Sequence, residues 1–320
     1  MRKLFVQFSL CIAIAVCSMP AHAVDAQDML AAGRVDEAIS VLMGRLSAAP
    51  RDAASQNLLC RAYFSMEDWN QAESSCQKAV QLDPNNARYH VWLGRVYGEK
   101  ASRANFLKAV GLAKQVREEF QRAVVLNAND VDARLDLAEF DVEAPGFVGG
   151  GIDKAREQAV AIGAISPARE HWVEARIAEK NKDMATAESE YRKVIQLSNG
   201  EAEAWLNLAQ FLKRQKRFDE MEQAIVKTSQ APMPKLEVLV DAAQALMDAG
   251  RAFPFATQLL ERYIQSGPVE QAPAFKAHYL LGILLEKQGD KAGAAREYRS
   301  SLALARNFGL AQQALNRIAH

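Results

Sequence analysis

A step of 34 residues constrains this chain more than any other feature. Pro50 and Pro84 are 34 apart, as are Ala38 and Ala72, Leu42 and Cys76, Leu59 and Leu93, Cys60 and Gly94, and Tyr63 and Tyr97. A fixed step over many pairs marks stacked units, each too small to bury its own apolar face. Within the units, apolar and small residues return every three or four positions, as in Gln56–Tyr63 and Trp69–Val80. That is the period of a helix with one buried face. A short polar turn divides each unit, and Asp83 with Pro84 closes one of them. Alanine is plentiful and β-branched runs are rare, which favours helix. The expectation is an all-α chain of stacked helical hairpins.

The first residues are of another kind. Met1-Arg2-Lys3 leads into the apolar run Leu4–Val16 and then Pro20-Ala21-His22-Ala23. A basic start, a short apolar core and a small-x-small ending compose a secretory signal peptide over 1–23, cleaved after Ala23. The run is well short of the ~20 residues of a spanning helix. No later segment reaches that length without charges, so no integral membrane segment is expected in the mature chain. Retention by a lipid on Cys17 is the alternative, although Val16 is bulkier than the small residue such a site prefers. Lys+Arg and Asp+Glu each number 39. That balance argues against a nucleic-acid binder, which wants a basic face, and against a polybasic membrane-surface protein. The expected location is periplasmic or secreted.

The residues inside the units resemble tetratricopeptide repeat (TPR) proteins. Their unit is an antiparallel helix pair with the pattern W-x2-L-G-x2-Y, then A-x3-F-x2-A, then P. Leu59, Cys60, Ala62 and Tyr63, followed by Ala72, Cys76, Ala79 and Pro84, make the sharpest complete unit. Leu281, Gly282, Gly289, Ala294 and Tyr298 make another, Trp205–Ala209 is a sharp first helix, and Ala187, Tyr191 and Val194 lie on a second helix. The resemblance covers nearly all of the chain after residue 23. It implies a right-handed superhelical solenoid over 24–320, with about eight helical hairpins and a C-terminal capping helix at 308–319. The first copy is short, Asp25–Ala32 and then Val35–Leu46, as expected of a terminal cap.

Units around 87–167 depart from the pattern. After Leu93, Gly94 and Tyr97, the residues Phe120 and Ala123 arrive about ten positions late. Phe106, Val110, Ala113, Val116 and Phe120 keep helical spacing, so a long second helix over Ser102–Val125 is expected, about 15 Å longer than usual. The next unit is interrupted by the loop 144–151, with Pro145 and glycines at 146 and 149–151. Such a loop before a helix offers N–H groups to an anion, with Lys154 nearby. It matches neither phosphate fingerprint, and packing or partner contact is the plainer reading.

No enzyme motif stands out, and no catalytic role, cofactor or metal site is expected. His90, His171, His278 and His320 are far apart and form no pair at helical metal-ligand spacing. The run Lys213–Arg217 falls at a turn, where solvent exposure is the default and contact with an acidic partner the alternative. In TPR arrays the first helix of each unit lines a concave groove. The 34-residue register puts Asn57, Arg61, Arg88, Arg95, Trp172 and Arg176 there, a set suited to an acidic or carboxylate-ended segment. Solvated arginines and a packed Trp172 are the competing reading. The two cysteines left after cleavage, Cys60 and Cys76, occupy the facing small and large positions of one hairpin. A disulfide between them is expected in an oxidising compartment; two packed thiols are the alternative. The resulting picture is an exported scaffold that binds a protein or peptide through its groove, in envelope assembly, secretion or polysaccharide export. The alternative function is a carrier or sensor of a small anionic ligand. Oligomeric state is not legible.

Overall fold

The computed structural model describes residues 25–318. The segment read as a signal peptide, with Cys11 and Cys17, and His320 lie outside the described residues. Seventeen α-helices follow one another without a strand among these residues. They pair as hairpins: α1 (Ala26–Ala31) with α2 (Val35–Ala48), α3 (Ala53–Ser65) with α4 (Trp69–Leu82), and α5 (Ala87–Ser102) with α6 (Phe106–Leu126). Next come α7 (Val131–Glu143) with α8 (Ile152–Gly163), α9 (Pro167–Lys180) with α10 (Met184–Leu197), and α11 (Ala202–Arg214) with α12 (Phe218–Gln230). Then α13 (Val238–Ala249) pairs with α14 (Phe253–Gln265) and α15 (Ala274–Lys287) with α16 (Lys291–Leu304), before a last helix, α17 (Gly309–Ile318). The first helix of a unit also touches the first helix of the next, so the odd-numbered helices line one face of an all-α solenoid.

One turn recurs. Gly33, Glu67, Lys182, Lys216, Gly250 and Gly289 all sit at positive φ between the two helices of a hairpin. The next residue in each case returns its N–H to a carbonyl five positions back, as Asp68 does to Tyr63 (3.0 Å) and Asp290 to Leu285 (2.9 Å). This satisfies carbonyls that the end of the first helix leaves free. Where the following residue is aspartate it then caps the second helix: Asp68 accepts from the N–H of Gln71, Asp183 from Thr186 and Asp290 from Gly293. The turns of α5–α6 and α7–α8 break this rule.

The two helices of a hairpin meet where one side chain is missing. A Cβ on Gly94 would lie 2.5 Å from the Phe120 ring, and one on Gly282 would lie 2.5 Å from the Tyr298 ring. Cys60 and Cys76 hold the same register in their hairpin and are joined by a disulfide, with Cα atoms 5.1 Å apart. A second contact repeats as well. His171 faces Glu190 (2.5 Å) and His278 faces Glu297 (2.7 Å), each pair 19 residues apart. His90 faces Glu119 (2.6 Å) at a separation of 29. The extra ten residues of that unit are thus accommodated without disturbing the contact. They are shared between the helices: α5 runs on to Ser102, and α6 begins at Phe106 rather than at Ser102, with the Asn105 side chain accepting from the N–H of Lys108. The long helix is continuous through Gly111.

The ends of the array meet. Leu30, Val35 and Ala38 from α1 and α2, with Ala62 of α3, form one core with Phe275, Phe308 and Ala311. Gly33 touches α15 so closely that a Cβ there would lie 2.7 Å from the Ala274 nitrogen. Asp36 accepts from Arg306 (3.1 Å), and Glu67 accepts from Lys276 (3.2 Å). The final helix covers the last hairpin, as the repeat reading expected, through Ala314, Leu315 and Ile318 against Ala294 and Tyr298. It also reaches the first hairpin, which was not expected.

The close approach is testable. Gly94→Ala and Gly282→Ala should each destabilise by ~1–3 kcal/mol through overpacking, whereas Gly111→Ala, with open space at its Cβ, should stabilise by ~0.5–1 kcal/mol. Chemical denaturation of the three variants checks the signs. His90 supplies a second test. Its Nε2 also faces the Pro84 carbonyl (2.9 Å), so both ring nitrogens donate and the imidazolium is the fitting form. Burial opposes that charge, but the Glu119 and Pro84 hydrogen bonds outweigh it and raise the His90 pKa. A raised value means that stabilisation is full below the ordinary ~6.5 and is lost as pH climbs through the folded-state value. The stability gap between wild type and Glu119→Gln, ~1.5 kcal/mol at pH 6, should therefore shrink towards pH 9. A gap independent of pH would contradict the assignment.

Candidate functional site

The accessible face of the odd-numbered helices is the candidate site, and closure of the array makes it an interior. Its most enclosed part lies where α3 and α5 meet the linker between α14 and α15. Arg61 is only 4% exposed and Glu270 13%. The Arg61 Nε donates to Glu270 Oε1 at 2.5 Å, and its terminal nitrogen pairs with the other carboxylate oxygen. Glu270 is held at the tip of a turn. The Ala272 N–H returns to the Val269 carbonyl (3.2 Å), while the buried Tyr263 hydroxyl donates to the Ala272 carbonyl (2.5 Å) and accepts from the Val269 N–H (2.8 Å).

Around this pair the predicted groove residues divide. Asn57 stands one turn before Arg61, and its buried Nδ2 has no hydrogen-bond partner. Arg88 is exposed, feels the charges of Arg61, Glu270 and Arg95, and makes no ion pair with any described residue. Burial and the like charge of Arg61 lower its pKa. Arg95 donates to Asp136 (2.8 Å). Trp92, which the register did not single out, lies between two of these arginines, with Arg61 Cζ 5.6 Å and Arg95 Cζ 5.2 Å from the ring centre. Its signal was present in the sequence: an aromatic residue one turn after Arg88 and one turn before Arg95. The structure thus gathers Asn57, Arg61, Arg88 and Arg95.

Trp172 and Arg176 lie further along, on α9. Trp172 is half-buried between two cores, as the competing reading had it. Arg176 is tied to Glu139 (2.6 Å), Glu143 (2.9 Å) and Glu179 (3.3 Å). Burial opposes its charge, but those carboxylates prevail and raise its pKa. On the accessible face of α13, Asp241 is pushed up to about 6 by its surroundings, first by loss of water and then by Glu237 and Glu203.

Other candidates are occupied locally. In the glycine loop the N–H groups of Gly149, Gly150 and Gly151 go to the carbonyls of Gly146, Pro145 and Asp141. Lys154 donates to the Gly149 carbonyl (2.6 Å). These donors hold the loop together rather than an anion. In the basic run, Lys213 pairs with Asp248, Arg214 with Glu179, and Arg217 with Glu188 and Glu220. Among the described residues no group of three or more His, Cys, Asp or Glu is placed to hold a metal ion. No helix among them is long and apolar enough to cross a membrane.

Profiles of the tetratricopeptide repeat match residues 29–97, 202–227 and 240–307. No curated protein sequence matches the chain. Among solved structures, yeast Tom70 superposes on 89% of this chain with a TM-score of 0.54 and 15% identity, and the alignment spans 58% of Tom70. The APC/C hetero-tetramer Cut9-Hcn1 aligns over 92% of this chain and 54% of its own, with TM-score 0.42 and 12% identity. Pseudomonas aeruginosa pilF aligns over 82% and 97%, with TM-score 0.39 and 16% identity. The chain spans less than two thirds of the first two, and at these identities the likeness is one of fold. With repeats matched over just over half its length and the same hairpin contacts carried through the rest, the chain belongs to the tetratricopeptide repeat family.

Proposed function

We propose that this protein is an exported scaffold that binds a protein or peptide partner through its inner face and has no catalytic role. Envelope assembly, secretion or polysaccharide export is the setting we favour. The observation that carries the reading is the cluster on α3 and α5. Arg88 is exposed and has no ion pair among the described residues, and Trp92 offers an aromatic face flanked by two guanidinium groups. Glu270 marks the chemistry the cluster accepts: a carboxylate engaged at both oxygens by Arg61. A partner's acidic segment would add a second carboxylate at Arg88 and stack against Trp92. Because the surface is preformed on packed helices, binding needs little ordering of the receptor.

Export is supported by the basic, apolar and small-residue start of the chain and by a disulfide of the kind that persists in oxidising compartments. Protein purified from its native envelope fraction should have a mass beginning at Val24. When denatured without reductant it should offer no thiol to alkylating reagent. Two alkylatable thiols would place the chain in a reducing compartment.

The binding experiment should change Arg88 and Trp92, since Arg61 and Arg95 also hold ion pairs within the fold. Immobilised mature protein should retain a partner from the envelope fraction. Arg88→Glu with Trp92→Ala should reduce that retention by at least tenfold while circular dichroism stays unchanged. A partner held equally by the double variant would move the site off this face.

A further inference from the structure

The two irregular units meet on the molecule. The ten extra residues of α5–α6 and the loop 144–151 belong to successive hairpins, and they pack against each other. The Phe106 and Phe147 rings lie 6.5 Å apart, and the Arg117 side chain crosses Gly149 so closely that a Cβ there would lie 2.5 Å from it. Between them runs a groove of about 620 Å³, walled by Lys114, Arg117, Gln121 and Val125 on α6 and by Phe147 and Gly149 on the loop. Neither insertion is needed for stacking, because the other hairpins stack without them.

The groove carries apolar surface that the fold leaves uncovered. Among its lining residues Val125 is 68% exposed and Phe147 63%, and Phe106, whose ring meets that of Phe147, is 71% exposed. Large apolar side chains gathered at one place on a soluble surface mark an interaction site. Its charge is one-sided: Lys114, Arg117 and Arg122 line it against the single carboxylate of Glu118. Beneath it, the Arg117 Nε and the Asp141 Oδ1 are buried 3.9 Å apart, too far to bond, and neither has a partner among the described residues. The wall therefore keeps a polar donor that its own fold does not satisfy.

We propose that this groove is a second docking surface, independent of the inner face, for an acidic amphipathic peptide segment of a partner protein. The segment's apolar side chains would cover Phe147 and Val125, and its carboxylates would meet Lys114 and Arg122. From Lys114 to Val125 the wall is ~16 Å long, room for three helical turns or about five extended residues. A flat bilayer fits less well, because the apolar groups Val125 and Phe147 stand on the two facing walls of a groove.

The test places a photo-reactive benzoyl-phenylalanine at Val125 or at Phe147, one on each wall, in the full chain within its own cells. A control carries it at Val160, which is also exposed but lies outside the groove. The expected result is one cross-linked protein shared by positions 125 and 147 and absent at 160. Its cross-linked segment, mapped by mass, should be rich in Asp or Glu with interspersed Leu or Phe. Lys114→Glu with Arg122→Glu should cut the yield at least fivefold at unchanged helicity. A segment without acidic residues, a yield untouched by charge reversal, a second copy of this chain, or no product above the control would each overturn the proposal. So would flotation of the purified protein with phosphatidylglycerol–phosphatidylethanolamine vesicles that is lost on Val125→Ser, which would assign the surface to lipid.

Discussion

The structure depends on how closely two helices can approach within one hairpin. At Gly94 and Gly282 the absent side chain is replaced by an aromatic ring from the opposite helix. In both of these hairpins a His–Glu pair spans the same two helices. In the α3–α4 hairpin the same place is taken by the Cys60–Cys76 disulfide. A covalent link thus stands where its neighbours rely on packing of a ring into a gap. Closing a loop of this length stabilises by ~3 kcal/mol in the chain-entropy model. The link acts on a hairpin that also carries Arg61 and borders the seam between the two ends of the array.

That seam changes what kind of solenoid this is. A repeat array ordinarily contacts only nearest neighbours and leaves two ends that need caps. Here the short first hairpin, through Leu30 and Val35, packs with Phe275 of α15, with Phe308, and with Ala311 of the last helix. The ends of such an array are where fraying starts, so joining them removes the weakest points together. It also turns an open groove into an interior, and it brings Glu270 onto Arg61 across 209 residues of sequence.

Contacts that obey the period were legible in the sequence, and those that do not were hidden. The hairpins, the small-against-large positions and the placement of Cys60 opposite Cys76 follow from spacing, because each joins residues at a fixed step. The Arg61–Glu270 pair follows no step. It arises from curvature accumulated over every unit between, and no local pattern encodes that sum. Glu67, Lys182 and Lys216 adopt positive φ without being glycine, so only the equivalent Gly33, Gly250 and Gly289 announced that turn. The start of the long helix was misplaced for a related reason. Helical spacing runs through Ser102 and Phe106 alike, and only Asn105, as a capping residue, separates the end of α5 from the start of α6.

The pairing of charges along the inner face bears on the proposed role of that face. Arg61, Arg95 and Arg176 already have carboxylates at hand, so an acidic partner meeting them exchanges one ion pair for another. Such an exchange changes the free energy little, because each desolvated pair offsets much of its own attraction. A surface neutralised in this way also gives little long-range steering. On the proposed reading, affinity then comes from Arg88, exposed and without an ion pair among the described residues, and from what Trp92 leaves accessible beside it. These two stand one turn apart on α5, whereas the paired arginines continue along the ladder. The arrangement favours a partner that matches one compact spot in shape and charge over one that is merely acidic along its length.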